Sequence, residues 1–594
     1  MELNLDEIKE KNFKSKVLLS LILILSLTLI LRLFYLQIIK YKSYAQRAQY
    51  ATSKISILTA PRGIIYDRNG KILAANKQAI SVVVYPNKLK TIKEKLYAYN
   101  NLAKILKTNP YNLKEIFLKL PSNAPLPVRL QSNISTEEAI QIVENGHLLP
   151  GISIQEDPIR FYPNGPLGSH ILGYISQIDE DELSKRQERK LGDLVGKDGI
   201  EKLYDDILRG IDGKDIVEVD RFGKPLNPDY KQGTIHIDPT CGKNIYLTID
   251  LDLQKSAEEA LKESGTNSAI VSVNPNTGEV LALASYPNFD PNIFTRPLSY
   301  NSWKELLRKK AFLNRALLGY IPGSIWKPII LISALDAMVI KPNDYFNVSG
   351  AYYLGKTRFS DWTDKKATLS LKECLGWSRD TAFYQIGKKL TPEEIKKWGT
   401  KLGAGKKSGI ELLGEEEGIV PDTKWKKKYT GEPWYPGNTL HYAIGQSFLL
   451  VTPLQVARIY SGLATENKIP KLQLVKQIHS YVKPLPAPET FKIDPSILKV
   501  VKDGLEFCVE KGTGAAAMIE GIKVAGKTGS AEVHSTAKTH GWFAAYAPID
   551  KPEIVIVVLA ERAGHGGSIA APIAKKVLEA YFHLDKPKSQ LAKT

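Results

Sequence analysis

The sequence predicts an α+β protein that is held in a membrane by a single N-terminal transmembrane helix. Residues 17–39, VLLSLILILSLTLILRLFYLQII, form an apolar run long enough for a hydrocarbon core of ~30 Å. Residues 40–240 mix amphipathic helical patterns with short strands and many turns. Residues 241–583 begin and end with strand patterns around a helical middle, which predicts a sheet of early and late strands with helices packed on it. The polar residues 584–594 are predicted to be disordered.

The apolar run has the features of a membrane anchor. Arg32 lies near one end, from where its side chain can reach the membrane interface. A small-residue cleavage site is absent, which argues against a signal peptide, and the run is apolar all round, which argues against a buried globular helix. Residues 1–16 carry lysines as well as four acids, so charge alone does not fix the orientation. We expect a chain with one span and a large domain on one side.

The composition narrows the possible partners. The 594 residues carry a formal net charge of +18, with a sequence pI near 9.3. Nucleic acid, an anionic membrane surface or an anionic polymer would suit such a balance. The lysines are scattered, and there is neither zinc-finger spacing nor a separate basic arm, so we predict no nucleic-acid partner. Cys241, Cys374 and Cys508 are far apart and fit isolated thiols rather than disulfides or a metal site.

Turn residues mark several predicted elements. Residues 61–76 predict two strands joined by an Asn-Gly turn, and residues 196–210 predict a helix closed by a glycine. The elements predicted after residue 240 are a strand and an amphipathic helix over 243–265, hairpins over 268–287 and 540–561, and a terminal helix over 570–584.

A Ser-x-x-Lys pattern, Ser324 and Lys327, follows a Pro-Gly turn in GYIPGSIWKPII, residues 319–330. Ser324 is expected in the first turn of a helix, where the dipole favours a developing anion, with Lys327 one turn further on the same face. A serine needs a base to become a good nucleophile, and a lysine serves only if its pKa is lowered. Alone the pattern is weak, because it recurs at Ser480, Ser496 and Ser535.

Two distant motifs strengthen the interpretation. GWSRDTAFYQIG, residues 376–387, carries Ser378 and Asp380 at a turn that enters a helix, and by itself would fit a helix N-cap. VAGKTGSAEV, residues 524–533, contains the K-T-G of the chain at the start of a strand pattern. The order S-x-x-K, S-x-[DN], K-T-G is the motif set of penicillin-recognising acyl-transfer enzymes.

The chain resembles the class B penicillin-binding proteins, the membrane-anchored D,D-transpeptidases of bacterial wall synthesis. PRGIIYDRNG and GKDGIEKLYDDILRG resemble that family's non-catalytic pedestal, a dimerisation-type domain, while NPNTGEVLALASYPNFDPN, IGQSFLLVTPLQVA and GWFAAYAP resemble its transpeptidase domain. The SRD form of the second motif and WYPGNT before IGQ resemble the elongation-type subfamily. The resemblance implies a pedestal over 40–240 and a penicillin-binding/β-lactamase-like domain, an antiparallel sheet flanked by helices, over 241–583.

The resemblance also implies roles for the motif residues. Ser324 would attack the carbonyl between the two terminal D-alanines of a stem peptide, and Lys327 would take its proton. Ser378 would relay a proton to the leaving amine, and Lys527 would disfavour charge on Lys327. The implied oxyanion and substrate contacts are the backbone N–H groups of Ser324 and Ser530, together with Thr528, Gly529 and Ser530 at the terminal carboxylate.

This sequence departs from the family pattern at two positions. Asp380 replaces the commoner asparagine, and a carboxylate near Lys327 would favour the charged lysine and oppose its role as a base. Ser530 replaces a common threonine but keeps the hydroxyl. Some members of the subfamily bind zinc beside the second motif, where this chain offers Asp361 and Cys374 but no histidine, so we predict neither a metal nor another cofactor.

The implied location is the bacterial plasma membrane, with residues 1–16 in the cytoplasm and the catalytic domain outside. The implied partners are stem peptides ending in D-Ala-D-Ala, β-lactams, and the membrane glycosyltransferase of the elongation complex with its scaffold proteins. The pedestal would be the module that binds the glycosyltransferase. Three alternatives remain open: a division-type transpeptidase, a β-lactam-sensing receptor, and a catalytically silent scaffold.

Overall fold

The structure, a computed structural model, describes most of the chain. Of the predicted cytoplasmic segment, residues 1–4 lie outside the described part, and of the predicted disordered tail only residue 584 lies inside it. The described residues are 5–42, 44, 53–89, 91–106, 110–120, 126–186, 188–218, 234–296, 298–533 and 536–584.

The N-terminal helix Leu5–Phe34 continues into a π-helical turn over Tyr35–Ile39. Within the described residues, Glu10–Ile39 is the one helix long and apolar enough to cross a membrane. Its apolar side chains are exposed, with Leu29 61% accessible, because they pack against no other described part of the chain. The helix predicted over 17–39 is therefore confirmed, and it is a membrane anchor.

Of the predicted pedestal, residues 40–240, the described residues between 53 and 237 form a mixed α+β unit. Its long strand Ile72–Val84 pairs antiparallel with both Val128–Ile134 and Ile152–Phe161, and helices cover the sheet. The other strands are Ser53–Leu58, Ile65–Tyr66, Ile175–Gln177, Leu194–Gly196, Gly213–Glu218 and Thr234–Ile237. The helices are Ile92–Leu106, Pro110–Lys119, Thr136–Glu144, Ser169–Leu172, Glu180–Lys185, Gly199–Leu203 and Asp205–Leu208.

The two pedestal stretches singled out in the sequence meet in a buried charge cluster. Arg62 and Arg160 both donate to the fully buried Glu201, and Arg62 also pairs with Asp205. The predicted single helix over 196–210 is instead two short helices that meet at Tyr204. The second of these helices begins at Asp205. The Asp205 carboxylate accepts from the Gly196 N–H and pairs with Arg62 and Arg189, and these contacts hold the second helix in place.

One sheet crosses the predicted boundary at residue 240. Ile65–Tyr66 pairs in parallel with Ile245–Leu247, which pairs antiparallel with Val475–Ile478. The pedestal residues Ile65 and Tyr162 also belong to the same hydrophobic core as the helices around Ser324. The pedestal and the following region are therefore joined by shared backbone hydrogen bonds and shared apolar packing.

The region after residue 240 is built on a five-stranded antiparallel sheet. Its strand order is Val280–Tyr286, Ser268–Val273, Ile554–Ala560, Thr536–Ala547 and Ala525–Val533. The predicted hairpins over 268–287 and 540–561 are therefore confirmed, and early and late strands lie side by side as predicted. The chain enters this sheet through the predicted strand Ile245–Leu247 and helix Leu251–Ser264.

Both faces of this sheet are covered, which explains the uninterrupted apolar run IVIVVLA at 554–560. Alternate residues of that strand belong to two different cores. One face packs against Leu251–Ser264 and the terminal helix Ala570–Tyr581, and the other packs against Pro453–Thr465. The remaining α-helices are Tyr300–Lys309, Lys327–Asp336, Leu371–Gly376, Asp380–Gly387, Pro392–Lys401, Thr423–Thr430, Pro436–Ala443 and Pro495–Glu510. Short strands lie at Tyr345–Val348, Ala351–Leu354, Thr357–Ser360, Ala367–Ser370, Lys468–Ile469, Tyr481–Val482 and Glu489–Thr490.

Candidate active site

Ser324 lies on a tight turn that is pressed against the edge strand of the sheet. The turn Gly323–Trp326 is 3-10 helical and leads into the α-helix Lys327–Asp336. Gly323 has φ +60°, and a Cβ at this position would lie 2.7 Å from the backbone oxygen of Ser530. Only glycine allows this approach. The helix predicted at Ser324 is confirmed, with its first turn in the tighter 3-10 form.

Lys327 is fully buried one turn after Ser324, and its ammonium group contacts the second motif. Lys327 Nζ donates to Ser378 O at 2.7 Å, to Ser378 Oγ at 3.2 Å and to Asp380 Oδ1 at 2.6 Å. These three contacts match the three donors of an ammonium group. The ring of Phe383 lies 4.9 Å from Nζ. Buried lysines that contact a serine hydroxyl and a carboxylate are typical of sites where protons move between side chains.

The second motif forms a strained turn before the helix Asp380–Gly387. Ser378 has φ +55°, a value that non-glycine residues seldom adopt. The turn is held from behind by Asp361, which accepts from Arg379 Nε at 3.2 Å and from the backbone N–H of Thr381 at 2.9 Å. This support directs Ser378 and Asp380 together toward Lys327.

The third motif lies on the edge strand Ala525–Val533 beside the Ser324 turn. Lys527 is fully buried, and its Nζ donates to Thr528 O at 3.0 Å. A Cβ at Gly529 would lie 2.8 Å from Pro322 O, so the two segments touch through their backbones. Ser530 is partly exposed, and its hydroxyl lies 3.3 Å from His565 Nδ1.

Burial changes the proton affinities of two groups in the cleft. Burial raises the pKa of the Asp380 carboxyl above its ordinary value, although the neighbouring Lys327 charge opposes the rise. Burial, together with the positive charge of Lys327, lowers the pKa of Lys527 to about 8. Each shift favours the neutral form, so proton transfer within the cleft is easier than between the same groups in water.

The surroundings of the four Ser-x-x-Lys copies set Ser324 apart. Ser480 is exposed, and Lys483 pairs with Glu411. Ser496 lies in the first turn of the helix Pro495–Glu510, and its lysine, Lys499, is exposed beside Asp503. Ser535 lies outside the described residues. Within the described part of the chain, the lysine of the Ser324 copy alone is buried against a second serine.

The structure adds residues that the motifs did not indicate. Thr513 Oγ1 lies 2.5 Å from Thr528 Oγ1, and the Thr513 N–H donates to Gly376 O at 3.3 Å. Thr513 therefore connects the segment before Ser378 to the K-T-G strand. The Gly-Thr-Gly at 512–514, just after a helix, was the available sequence signal, because glycines often mark close backbone approach. His565 carries a comparable signal, because it lies within Gly-His-Gly-Gly at 564–567.

Asp361 and Cys374 do not fit a zinc site. Asp361 Oδ2 already accepts from Arg379 Nε and from the Thr381 hydroxyl, and Asp361 Oδ1 accepts from the backbone N–H of Trp362. Burial raises the pKa of the Cys374 thiol to about 12, which opposes the thiolate that zinc requires. The described residues contain no group of three or more potential ligands. The metal-free state stays a prediction.

Comparison with known proteins identifies the family. Residues 268–579 match the family described as penicillin binding protein transpeptidase domain, and residues 57–247 match the penicillin-binding protein dimerisation domain. The peptidoglycan D,D-transpeptidase MrdA of Haemophilus influenzae is 32% identical over 620 residues, covering 98% of this chain and 94% of the relative. The chain belongs to the class B penicillin-binding proteins of the elongation type.

Solved structures of such proteins have the same architecture. A penicillin-binding protein 2 from Helicobacter pylori, in complex with MreC, has a TM-score of 0.77 at 28% identity, covering 90% of this chain and 99% of that one. A second solved chain has a TM-score of 0.71 at 30% identity and covers 97% of this chain and 99% of its own length. It comes from work described as structural coordination of polymerization and crosslinking by a peptidoglycan synthase complex.

This penicillin-binding protein is a serine-type peptidoglycan D,D-transpeptidase of cell elongation. The relatives carry that activity in their names, and the transpeptidase family covers the region that contains all three motifs. The elongation-type hypothesis is confirmed in preference to the division-type, receptor and scaffold alternatives. The α+β fold with an anchor, a pedestal and an antiparallel transpeptidase sheet is confirmed as well.

Proposed function

We propose that Ser324 is the nucleophile of this transpeptidase and that Lys327 removes its proton. The observation that carries this assignment is the buried contact of Lys327 Nζ with Ser378 and Asp380, one turn after Ser324. The Ser324 hydroxyl attacks the carbonyl between the terminal D-alanines, and D-alanine leaves as the amine. An amine from a second stem peptide then attacks the acyl-enzyme and releases Ser324. A β-lactam acylates Ser324 but has no departing amine to make room for that attack.

Asp380 acts as the proton acceptor for Lys327. Lys327 Nζ and Asp380 Oδ1 are 2.6 Å apart. Burial raises the pKa of Asp380, and this reduces the free-energy difference between the ion pair and the neutral pair of amine and carboxylic acid. A proton that moves from Lys327 Nζ to Asp380 Oδ1 leaves a neutral amine beside Ser324. This amine takes the hydroxyl proton as the acyl bond forms. Ser378 then passes its hydroxyl proton to the leaving nitrogen and takes a proton from Lys327 Nζ, which lies 3.2 Å from its oxygen.

The edge strand binds the substrate and the developing oxyanion. The backbone N–H groups of Ser324 and Ser530 hold the oxyanion, and one such donor contributes ~3 kcal/mol to transition-state stabilisation. The terminal carboxylate binds between Lys527 and the hydroxyls of Thr528 and Ser530. Gly529 has no side chain, which lets the strand touch the Ser324 turn. This approach brings the oxyanion donors of two distant motifs to one place.

Fluorescent penicillin tests the nucleophile assignment. Wild-type protein and the Ser480→Ala and Ser535→Ala variants are expected to become labelled, whereas Ser324→Ala is not. Ser480 and Ser535 are matched controls because each begins a Ser-x-x-Lys copy. Labelling of Ser324→Ala at the wild-type level would overturn the assignment.

The pedestal positions the catalytic region and binds other proteins of the elongation machinery. We assign residues 40–240 to the pedestal and residues 241–583 to the transpeptidase domain. This division is supported by the two matched families, although one sheet joins the regions. The H. pylori relative was solved with MreC, and another relative within a peptidoglycan synthase complex. By analogy, a scaffold protein and a membrane glycosyltransferase are the partners of this chain.

The membrane orientation follows from the activity. Stem-peptide cross-linking takes place outside the plasma membrane, so the catalytic domain lies outside and residues 1–16 lie in the cytoplasm. Protease added to intact spheroplasts is expected to cleave the catalytic domain and to spare an epitope placed at residue 1.

The elongation role has a test of its own. Depletion of the protein in a rod-shaped host is expected to give round cells. Filaments with unfinished septa would contradict an elongation role.

A further inference from the structure

A cavity of about 480 Å³ lies where the pedestal meets the transpeptidase region. Its walls come from the pedestal strand Val128–Ile134, from residues 174–197, and from the transpeptidase segment 294–303. None of the three catalytic motifs lines it. Its volume is within the range of small-molecule sites, ~300–1,000 Å³.

Aromatic rings form one part of the cavity wall. Tyr174 and Phe294 are stacked with ring centroids 3.9 Å apart. Trp303, on the helix Tyr300–Lys309, also lines the cavity and is 37% exposed, although one side of its ring packs on Phe312 at 5.3 Å. Large flat rings that are left partly open to a cavity favour a ligand with a flat apolar face.

Two buried polar side chains that line the cavity are unpaired. Gln131 is 3% exposed and Ser132 is 7% exposed. Gln131 Oε1 and Ser132 Oγ have no hydrogen-bond partner in the described part of the chain. A buried acceptor without a donor costs ~1–3 kcal/mol, so an apolar ligand would leave these groups unsatisfied. A ligand that donates hydrogen bonds would satisfy them.

Both cations at the cavity are already paired with carboxylates. Lys197 pairs with Asp179 at 3.0 Å and with Glu182. Arg296 pairs with Glu138 at 3.2 Å. Neither cation is left for an anion such as a phosphate or a carboxylate. The cavity therefore favours an uncharged ligand that combines a flat apolar face with several hydroxyl or amide groups.

We propose that this cavity binds an N-acetylated sugar of a glycan chain. A pyranose ring presents a flat face of C–H bonds, which packs on aromatic rings such as Trp303. Gln131 Oε1 and Ser132 Oγ are buried in the empty protein, so their side chains rotate toward the cavity to accept from the hydroxyl and acetamido N–H groups of the sugar. The cavity would let the enzyme hold the glycan backbone separately from the stem peptide. This inference goes beyond the proposed function, since it concerns a site without the catalytic residues.

Binding of chitotetraose to the full-length protein in detergent tests the proposal. This probe has N-acetylglucosamine units and no stem peptide, and prior acylation with benzylpenicillin closes the catalytic cleft. Calorimetry is expected to show binding to the wild type and about tenfold weaker binding to Trp303→Ala. Gln131→Met, which removes the unpaired acceptor at similar volume, is expected to weaken binding about fivefold.

Tyr300→Ala is the matched control. Tyr300 lies on the same helix as Trp303 and is 71% exposed, but it does not line the cavity, so its loss should leave binding unchanged. No binding of chitotetraose at millimolar concentration, or equal affinity of Trp303→Ala and wild type, would mean that the cavity holds water only and would overturn the proposal. Penicillin acylation of each sample reports on Ser324 separately. A failure there would concern the catalytic assignment and not this cavity.

Discussion

Lys327 Nζ lies 2.6 Å from Asp380 Oδ1 inside the protein. A carboxylate at this distance stabilises the ammonium form of the lysine. Burial simultaneously raises the pKa of Asp380, which favours the carboxylic acid. The pair can therefore serve catalysis if the proton of the lysine moves to the carboxylate as the serine reacts.

The Asp380→Asn variant tests this proton movement. Asparagine keeps the shape of the side chain but cannot accept a proton, so the proton transfer from Lys327 to residue 380 is lost. We expect penicillin acylation of Ser324 to fall at least about tenfold at pH 7. Stopped-flow acylation kinetics measure this fall.

An Asp380→Asn rate equal to or above wild type at pH 7 would contradict proton transfer to Asp380. It would mean that the carboxylate merely makes Lys327 harder to deprotonate. The thermal midpoint of the variant is the control for folding.

Lys527 is expected to set the alkaline limit of acylation. Its pKa is lowered to about 8, so above that pH it loses the charge that attracts the carboxylate of a substrate or penicillin. The second-order acylation constant should therefore fall as the pH rises through about 8. In Lys527→Arg the guanidinium stays charged, and the fall should be absent up to pH ~10 even if the overall rate is lower. A fall near pH 8 that persists in Lys527→Arg would assign it to another group.

Thr513 is expected to act as a positioning residue. Its hydroxyl lies 2.5 Å from Thr528 Oγ1, and removing one such hydrogen bond corresponds to about tenfold in a rate or affinity. Thr513→Val should weaken the non-covalent binding of penicillin before acylation, whereas Thr513→Ser, which keeps the hydroxyl, should not. If the two variants have the same penicillin affinity and differ only in thermal midpoint, the role of Thr513 is structural.

Glu258 should make stability depend on pH. Its carboxylate accepts from the Gly168 N–H of the pedestal and from Asn288 of the transpeptidase region, and burial raises its pKa to about 7. The folded state therefore holds a proton that the unfolded state releases near pH 4.5, so this contribution to stability is present below pH ~4.5 and is lost as the pH rises through about 7.

Glu258→Gln cannot titrate and removes this dependence. The fall in thermal midpoint between pH 5 and pH 8 should be smaller in Glu258→Gln than in wild type, by an amount that differential scanning calorimetry resolves. Identical pH dependence in the two proteins would show that Glu258 is not the titrating group.

Local sequence signals were sufficient for much of the fold. The alternating apolar residues at 268–273 and the continuous run at 554–560 predicted strands, because period-two burial and two-sided burial leave these patterns. The three motifs could be singled out as a candidate site because each combines a turn residue with reactive side chains. Gly323, for example, is required where the Ser324 turn meets the edge strand.

Long-range contacts could not be predicted in the same way. Nothing in the sequence indicated that Asp380 would point at Lys327 rather than at other donors, because that choice depends on how Asp361 anchors the turn. The sheet that pairs Ile65 with Ile245 joins segments 180 residues apart, and short strands carry no pairing information of their own. The glycines beside Thr513 were an available signal, but nothing in the sequence indicated its contact with Thr528.

The most direct measurement of the central claim is the identity of the acylated residue. The full-length protein is treated with benzylpenicillin, digested, and its peptides are sequenced by tandem mass spectrometry. We expect a penicilloyl group on Ser324 in wild type and no penicilloyl group on any serine in Lys327→Ala. An adduct on Ser378, Ser480, Ser496 or Ser535, or acylation of Ser324 at the wild-type rate in Lys327→Ala, would contradict it.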